Sequence, residues 1–490
     1  MTKIASLLYQ QSRIETTWKA PIDAVTWFTH TGWQVDHAGE VLFCESTEIP
    51  DGLAEIRITI RKAYLRHLDR INLAFSELLS HAGVQTLNLP FAGDAIKDFV
   101  EKASSKDPVA VLVLDACRYD LGCRLAELLN QGEPSPRAAI SQAIAPIPSI
   151  TALGMPFTLP GISAYLNVEL NTAKDASWSV TAEGFSGNLS QAEKRQEWLK
   201  KKYKLKDHAM LTIENVLNPK MADLISVKSL GKLVFVFGDD FDDHDEKLKP
   251  LGLDQILELY ARVVRRLRSA GYSKVLVVTD HGFFRWEPET DEVQPKPVGE
   301  ILWTSRRAVV GHNLKHPTAI SCKVTRSNLD CSIPRSINAF KTYGGLGFFH
   351  GGATLQELII PVVVVQWPKK AQKIAAVLKP VAQIVSLAQK IEVAPAAMQK
   401  RMFGTVDENL LSRQVCVKVQ DPMTGKLIFK SRNPMSIEPG GGSKTLDLMK
   451  VEGAEAKVGF NLDIVLFDAD DEEILERTSV ILQIELDGWF

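Results

Sequence analysis

No apolar run in this 490-residue chain approaches the roughly 20 residues that span a membrane. The longest, such as Leu358 to Val365, have the length of buried strands. Neither sign of charge dominates. Against 57 Lys and Arg stand 59 Asp and Glu, a formal net charge of −2, so the global signature of a nucleic-acid coat is missing and any polyanion contact must be local. The six cysteines, at 44, 117, 123, 322, 331 and 416, form no CxxC pair and are sparse for this length, so neither a disulfide framework nor a zinc ribbon is indicated. No GxxxxGK[ST] stretch occurs, so a P-loop ATPase is not supported, and there is no internal repeat. The N-terminal MTKIASLLYQQSRIETTW turns polar and charged before a signal-length apolar region forms; a cytoplasmic location is expected.

What is present changes character twice. Residues 1–105 carry a helical stretch, Ala54 to Ala82, with apolar residues at helical spacing, and read as a small accessory region. From Pro108, apolar strands that end in carboxylates alternate with helical stretches: VAVLVLD to Asp115, KLVFVFGDD to Asp240 and KVLVVTDHG to Gly282. This alternation predicts an α/β domain over 106–368 with a mostly parallel sheet flanked by helices. A helix is predicted between the second and third strands, with Asp254 as N-cap, Ile256, Leu259, Val263 and Leu267 on one face, and Gly271 past its end. The run from Leu355 supplies a late strand, which Pro361 places at an edge or a break. Over 369–490 a helical or irregular linker leads into short alternating strands such as QVCVKV and FNLDIVLFD, with turns at PMTG and EPGGG. These predict a C-terminal β-sandwich.

The chemistry-bearing residues gather where an open α/β sheet binds ligands, at the carboxyl ends of its strands. Asp115 ends the first strand, Asp239 and Asp240 the second, and Asp280 and His281 the third. A single strand-terminal Asp is commonplace as a cap, but three such ends are harder to dismiss. Of ten histidines, His244, His281 and His350 stand beside acids or glycines in such loops. Imidazoles mixed with carboxylates suit zinc or manganese, whereas oxygens alone would favour magnesium or calcium.

Taken in order, LDACRYD, PSITALG, an acidic loop before a histidine, TDHGF and HGGATLQE resemble the PglZ domain of the alkaline phosphatase superfamily over about residues 108–366. The resemblance implies an alkaline-phosphatase-like fold with two divalent metal ions flanking a Thr or Ser nucleophile. It assigns Asp115, Thr151, Asp280 and His281 to the metal site that holds the nucleophile, and Asp240, His244 and His350 to the other. Asp240 rather than Asp239 fits the superfamily's D-x-x-x-H pair. Ser149 is the rival nucleophile to Thr151. Arg118 is a candidate contact for a nonbridging phosphate oxygen, against the alternative of a salt bridge on the following helix.

The function implied is metal-dependent phosphoester hydrolysis, favouring a phosphodiester, with DNA or a nucleotide as candidate substrates, in phage defence of the BREX type beside other defence-system proteins. The competing reading is an assembly scaffold with structural metals. Aromatic groups at Phe283, Phe284 or Phe348 are candidates for holding the second substituent of a diester, or for packing beneath the loops. CSIPR at Cys331 superficially matches a sulfatase motif, but its proline stands one place late and the stretch follows TDHG, so that reading is rejected. EKRQEWLKKKYKLKDH (193–208) is either a single-strand nucleic-acid contact or, more simply, a solvated amphipathic helix.

Overall fold

The computed structural model describes residues 2–12, 17–42, 51–172, 176–221, 224–241, 253–285, 293–341, 348–369, 371–396 and 408–486. Its central sheet has six strands: β1 (Val109–Asp115), β2 (Ala138–Ile144), β3 (Met210–Thr212), β4 (Leu233–Asp240), β5 (Lys274–Thr279) and β6 (Ile359–Gln366), in the order β2-β6-β5-β1-β4-β3. Strand β1 runs parallel to β4 and β5, and β3 parallel to β4; only β6 is reversed, antiparallel to both β2 and β5.

The side-chain alternation of a strand explains the layering. Val109, Val111 and Val113 of β1 join a core on one face of the sheet, and Ala110, Leu112 and Leu114 a core on the other. The helices Tyr119–Asn130 and Leu253–Ser269 close the second core. The N-terminal helix Asp51–Ala82 lends Tyr64, Leu68, Ile71, Phe75 and Leu79, spaced three or four residues apart, to the first. Full burial of each aliphatic side chain contributes about 1.5–3 kcal/mol. On the helix Leu253–Ser269, Ile256, Tyr260, Val263, Val264 and Leu267 point inward, whereas Leu259, expected on that face, is 37% exposed.

Pro361 does not mark an edge, because β6 lies between β2 and β5. Pairing with β5 begins only at Val363, so the missing N–H costs that ladder nothing. Gly122 lets the helix Tyr119–Asn130 approach this proline; a Cβ there would stand 2.3 Å from the Pro361 Cβ.

Unforeseen in the sequence are an antiparallel hairpin, Leu166–Asn171 with Ser177–Ala182, and a four-stranded antiparallel sheet made by Val298–Thr304, Val309–Lys315, Ile320–Lys323 and Asp330–Ile333. The C-terminal region is β-rich, as expected. A nine-stranded sheet curls round its own core, which includes Val415, Val417, Val419, Ile464 and Leu466. The curl brings its ends together where Leu378 N donates to Glu476 Oε2 at 2.6 Å. The segment expected as a helical or irregular linker instead supplies short strands, Gln372–Lys373, Ala376–Leu378 and Gln383–Ile384. The C-terminal region is clasped to the α/β domain by Arg265 on Asp470 and by Ser412 on Glu133, each at 2.8 Å. Among the described residues, no helix is long and apolar enough to cross a membrane.

Candidate active site

The strand ends deliver the site. Asp115 is the last residue of β1, and Asp280 and His281 follow β5 directly. The two strand ends are tied together: Cys117 N donates to Thr279 Oγ1 at 2.9 Å and Ala116 N to Asp280 Oδ1 at 3.1 Å. Ala116 turns the chain with φ of +54°. Thr151 begins the short helix Thr151–Phe157, which packs against Asp280 at Gly154; a Cβ at Gly154 would lie 2.7 Å from the Asp280 Cβ. Thr151 Oγ1 is 3.1 Å from His281 Nε2 and 3.5 Å from Asp115 Oδ1.

His350 closes the cluster. Its ring stacks on His281 with centroids 4.4 Å apart and planes 9° from parallel, and its Nδ1 is 3.3 Å from Ser149 O. Ser149 is buried, and its hydroxyl is spent on this loop, donating to Gly352 O at 2.8 Å and accepting from Gly351 N at 3.1 Å. The half-buried Thr151 hydroxyl is the one that faces the acids and the imidazole.

Asp115, Asp280 and His281 are buried, and each offers one ligand atom within 4.8 Å of the others. Oδ1 of Asp280 accepts the amides of Ala116 and His281, whereas Oδ2 is buried without a hydrogen bond. Burial pushes this carboxyl up to about 6, against the opposing pull of those amides. An unsolvated carboxylate oxygen is costly unless something positive meets it. Two carboxylates and an imidazole form a donor set that fits zinc or manganese.

The remaining expected ligands are resolved only in part. Asp240 ends β4 in register with Asp115, so its backbone reaches the same sheet edge. Its side chain, like that of Asp239, lies outside the described residues, as does His244.

Arg118, a candidate for a phosphate oxygen or for a salt bridge on the following helix, makes the salt bridge. It is buried and bidentate to Asp120, with Nε on Oδ1 and Nη2 on Oδ2 at 2.8 Å each, while Nη1 meets Glu40 at 2.5 Å. Its guanidinium also lies 4.8 Å over the Phe283 ring. Its charge is thus absorbed by two carboxylates, one from the N-terminal region. That region reaches the site a second time. Asn72 donates to Gln356 Oε1 and Gln356 to Asp36 Oδ2, each at 2.9 Å, and the chain beside Gln356 holds the TDHG turn through Gly282 N to Glu357 O at 3.0 Å. Gly282 is required there, since a Cβ would stand 2.1 Å from Gln356 O.

A different arginine, missed in the sequence, lies near the acids. Arg195 Nη1 donates to Leu189 O and Ser190 O. Burial lowers the pKa of its guanidinium, while Asp280 and Asp115 act in the opposite direction. The signal was helical phase: Arg195 shares a face with the buried Trp198 and Leu199, three and four positions on. Trp198 packs on Tyr203, and Tyr203 on Phe235, so these aromatics face the protein rather than a nucleic acid.

Beside Thr151 and His350 opens a cleft of about 470 Å³ lined by Trp178, Trp303, Arg306 and Phe349. Of the phenylalanines that could hold a substrate or pack beneath the loops, Phe283 and Phe284 pack there, buried under Arg118 and Arg307, and the Phe348 side chain lies outside the described residues.

A mostly parallel sheet with one reversed strand, and acids and histidines converging at its carboxyl edge, defines an alkaline phosphatase-like α/β protein. The sequence model of the BREX system PglZ alkaline phosphatase-like domain matches residues 91–365, and the chain belongs to that family. It is 26% identical over 290 residues to the alkaline phosphatase-like protein BrxZ of Escherichia coli O9:H4 (strain HS), covering 56% of this chain and 31% of the relative. It is 24% identical over 373 residues to the alkaline phosphatase-like protein PglZ of Bacillus cereus (strain H3081.97), covering 71% and 42%. The chain thus spans less than half the length of either. Among solved structures, murine ectonucleotide pyrophosphatase/phosphodiesterase 5 is 12% identical with a TM-score of 0.34, covering 52% of this chain and 88% of that one. Phosphonoacetate hydrolase from Sinorhizobium meliloti 1021 is 10% identical with a TM-score of 0.33, covering 56% and 91%.

Proposed function

We propose that the chain is a metal-dependent phosphodiesterase that uses Thr151 as its nucleophile and acts in the cytoplasm, within BREX-type phage defence and alongside other proteins of that system. The observation that carries this reading is the buried, hydrogen-bond-free Oδ2 of Asp280, set among Asp115, His281 and the Thr151 hydroxyl. Asp115, Asp280 and His281 would hold one divalent ion, zinc first and manganese second; Asp240, His244 and His350 are the proposed ligands of another. When bound, such ions supply charge neutralisation and lower the pKa of a coordinated hydroxyl or water. Thr151 Oγ1 attacks the phosphorus in line, and a P–O bond to one substituent breaks as the Oγ1–P bond forms. The departing oxygen takes up a proton, and water later cleaves the Oγ1–P bond to free the threonine. Asp115 Oδ1 and His281 Nε2 lie 3.5 and 3.1 Å from Oγ1; as groups that would hold the ion, they set the hydroxyl where a bound cation would acidify it, and its proton passes through solvent to the departing oxygen.

A diester is preferred over a monoester because Arg118, which follows β1 beside Asp115, is neutralised by Asp120 and Glu40 and so cannot offset the second negative charge of a dianion. Division of the chain at about residues 105 and 368 belongs to the same proposal, with the N-terminal region buttressing the site through Glu40, Asp36 and Asn72. Two measurements test it. Metal analysis of the purified protein is expected to find zinc or manganese. Matched aryl phosphodiester and phosphomonoester substrates are expected to give a higher kcat/KM for the diester. A metal-free protein after metal-replete preparation, or a clear monoester preference, would count against it.

A further inference from the structure

The cleft beside Thr151 has features that ester hydrolysis alone does not require. Trp178 from the hairpin strand Ser177–Ala182 and Trp303 from the strand Val298–Thr304 meet edge to face, with ring centroids 5.4 Å apart at 69°. These two insertions are separate in sequence and join here on one wall. The other wall is Phe349, with the Arg306 guanidinium 5.2 Å from its ring centroid. Thr151 and His350 form the end nearest the acids.

Arg306 differs from its neighbour. Arg307 is buried and consumed by Glu357 at 2.8 Å and by the carbonyls of Ser336 and Asn338. Arg306 is half-buried and makes no ion pair among the described residues. An arginine held on an aromatic face keeps its N–H edges available for an anion. At about 470 Å³, the cleft is within the range of small-molecule sites, which reaches roughly 300–1,000 Å³.

We propose that this cleft binds one ester substituent of the phosphodiester, and that the substituent is a nucleoside bearing a further phosphate. Its planar base lies against Trp303, and its second phosphate pairs with Arg306, while the scissile phosphate lies at Thr151. Trp303 and Arg306 are then specificity-determining residues, and the substrate is an oligonucleotide or dinucleotide rather than a simple alkyl or aryl diester. The inference rests on the phosphodiesterase reading of Thr151 and its neighbours.

The test is isothermal titration of the zinc-loaded full chain with four probes: inorganic phosphate, ribose 5-phosphate, AMP and adenosine 3′,5′-bisphosphate. AMP is expected to bind about ten-fold more tightly than ribose 5-phosphate, within the effect of stacking one base. The bisphosphate is expected to bind about ten-fold more tightly again, the gain from one charge-assisted contact. Trp303→Leu should erase the first ratio and Arg306→Gln the second, both leaving the affinity for ribose 5-phosphate unchanged. Arg306→Gln removes no buried ion pair, so that arm holds even if Trp303→Leu fails to fold. Equal binding of AMP and ribose 5-phosphate to the wild type would overturn the base-binding assignment, and a bisphosphate advantage that survives Arg306→Gln would overturn the assignment of Arg306. If no probe binds, inorganic phosphate included, and no metal-dependent hydrolysis is seen, the phosphodiesterase reading itself has failed and this proposal with it.

Discussion

Replacing Asp280 by asparagine should make the metal-free protein more stable and the metal-loaded protein less so. Burial raises the Asp280 carboxyl from an ordinary 3.8 to about 6. In the metal-free protein the unfolded chain therefore gives up this proton at lower pH than the folded chain does. The folded state holds more protons between about pH 4 and pH 6, so stability falls as pH rises through that window and the full penalty applies above it. The gap is roughly two pK units, or ~3 kcal/mol at 1.36 kcal/mol per unit. Asparagine keeps the oxygen that accepts from Ala116 N and His281 N, and sets an NH₂ where the unbonded Oδ2 lies, 3.3 Å from His281 Nε2. Thermal unfolding in chelator at pH 8 should therefore show Asp280→Asn above wild type, with the difference vanishing near pH 4. Added zinc should reverse the order, because the variant has lost an anionic ligand. A variant less stable than wild type in chelator at pH 8 would refute the view that this carboxylate is held at a cost for a cation.

Asp36 makes a second pH prediction: burial and the neighbouring Asp120 push it up to about 7. By the same sign, it costs stability increasingly as pH rises from about 4 to about 7, and Asp36→Asn should flatten the fall in denaturation midpoint across that window. Gly282→Ala should destabilise by about 1–3 kcal/mol, the usual range for overpacking, and should depress hydrolysis more than stability, since the new methyl meets Gln356 O behind the TDHG turn; wild-type turnover would contradict the placement of that turn. Gel-shift titrations across salt should find duplex DNA bound weakly and with a shallow salt slope, as expected of a chain with a net charge of −2.

The parts of the fold written as long apolar runs could be read directly. Strands β1, β4 and β5 are near-continuous hydrophobic segments because both faces are buried, and their terminal acids followed from chain order alone. Strand β2, AAISQAI, could not be read, because it is an edge strand with exposed and half-buried positions. The same holds for the inserted strands around Trp178 and Trp303, whose short lengths give periodicity little to work with. The salt bridge of Arg118 to Asp120 on the following helix was one of its two readings from the sequence, but its second partner could not be read: Glu40 lies 78 positions before it and reaches it only through the packing of the N-terminal region. Arg195 was hidden by the lysines around it, although its phase with Trp198 marked it as inward-facing. The linker before the C-terminal region resembled a helix because its alanines and lysines favour one, but two of its short strands, Ala376–Leu378 and Gln383–Ile384, complete the edges of a curled sheet, where tertiary pairing overrides local propensity.

The most direct test of the central claim is hydrolysis of bis(p-nitrophenyl) phosphate by zinc-reconstituted wild type, Thr151→Ser and Thr151→Ala, assayed together with metal content. Thr151 Oγ1 is the hydroxyl set against His281 and Asp115, so the serine variant should retain measurable turnover. The alanine variant should lose at least a thousand-fold in kcat (on the order of the loss on removing a nucleophile) while its metal content stays near wild type. Alanine turning over at the wild-type rate with metal bound would contradict the assignment of Thr151 as the nucleophile.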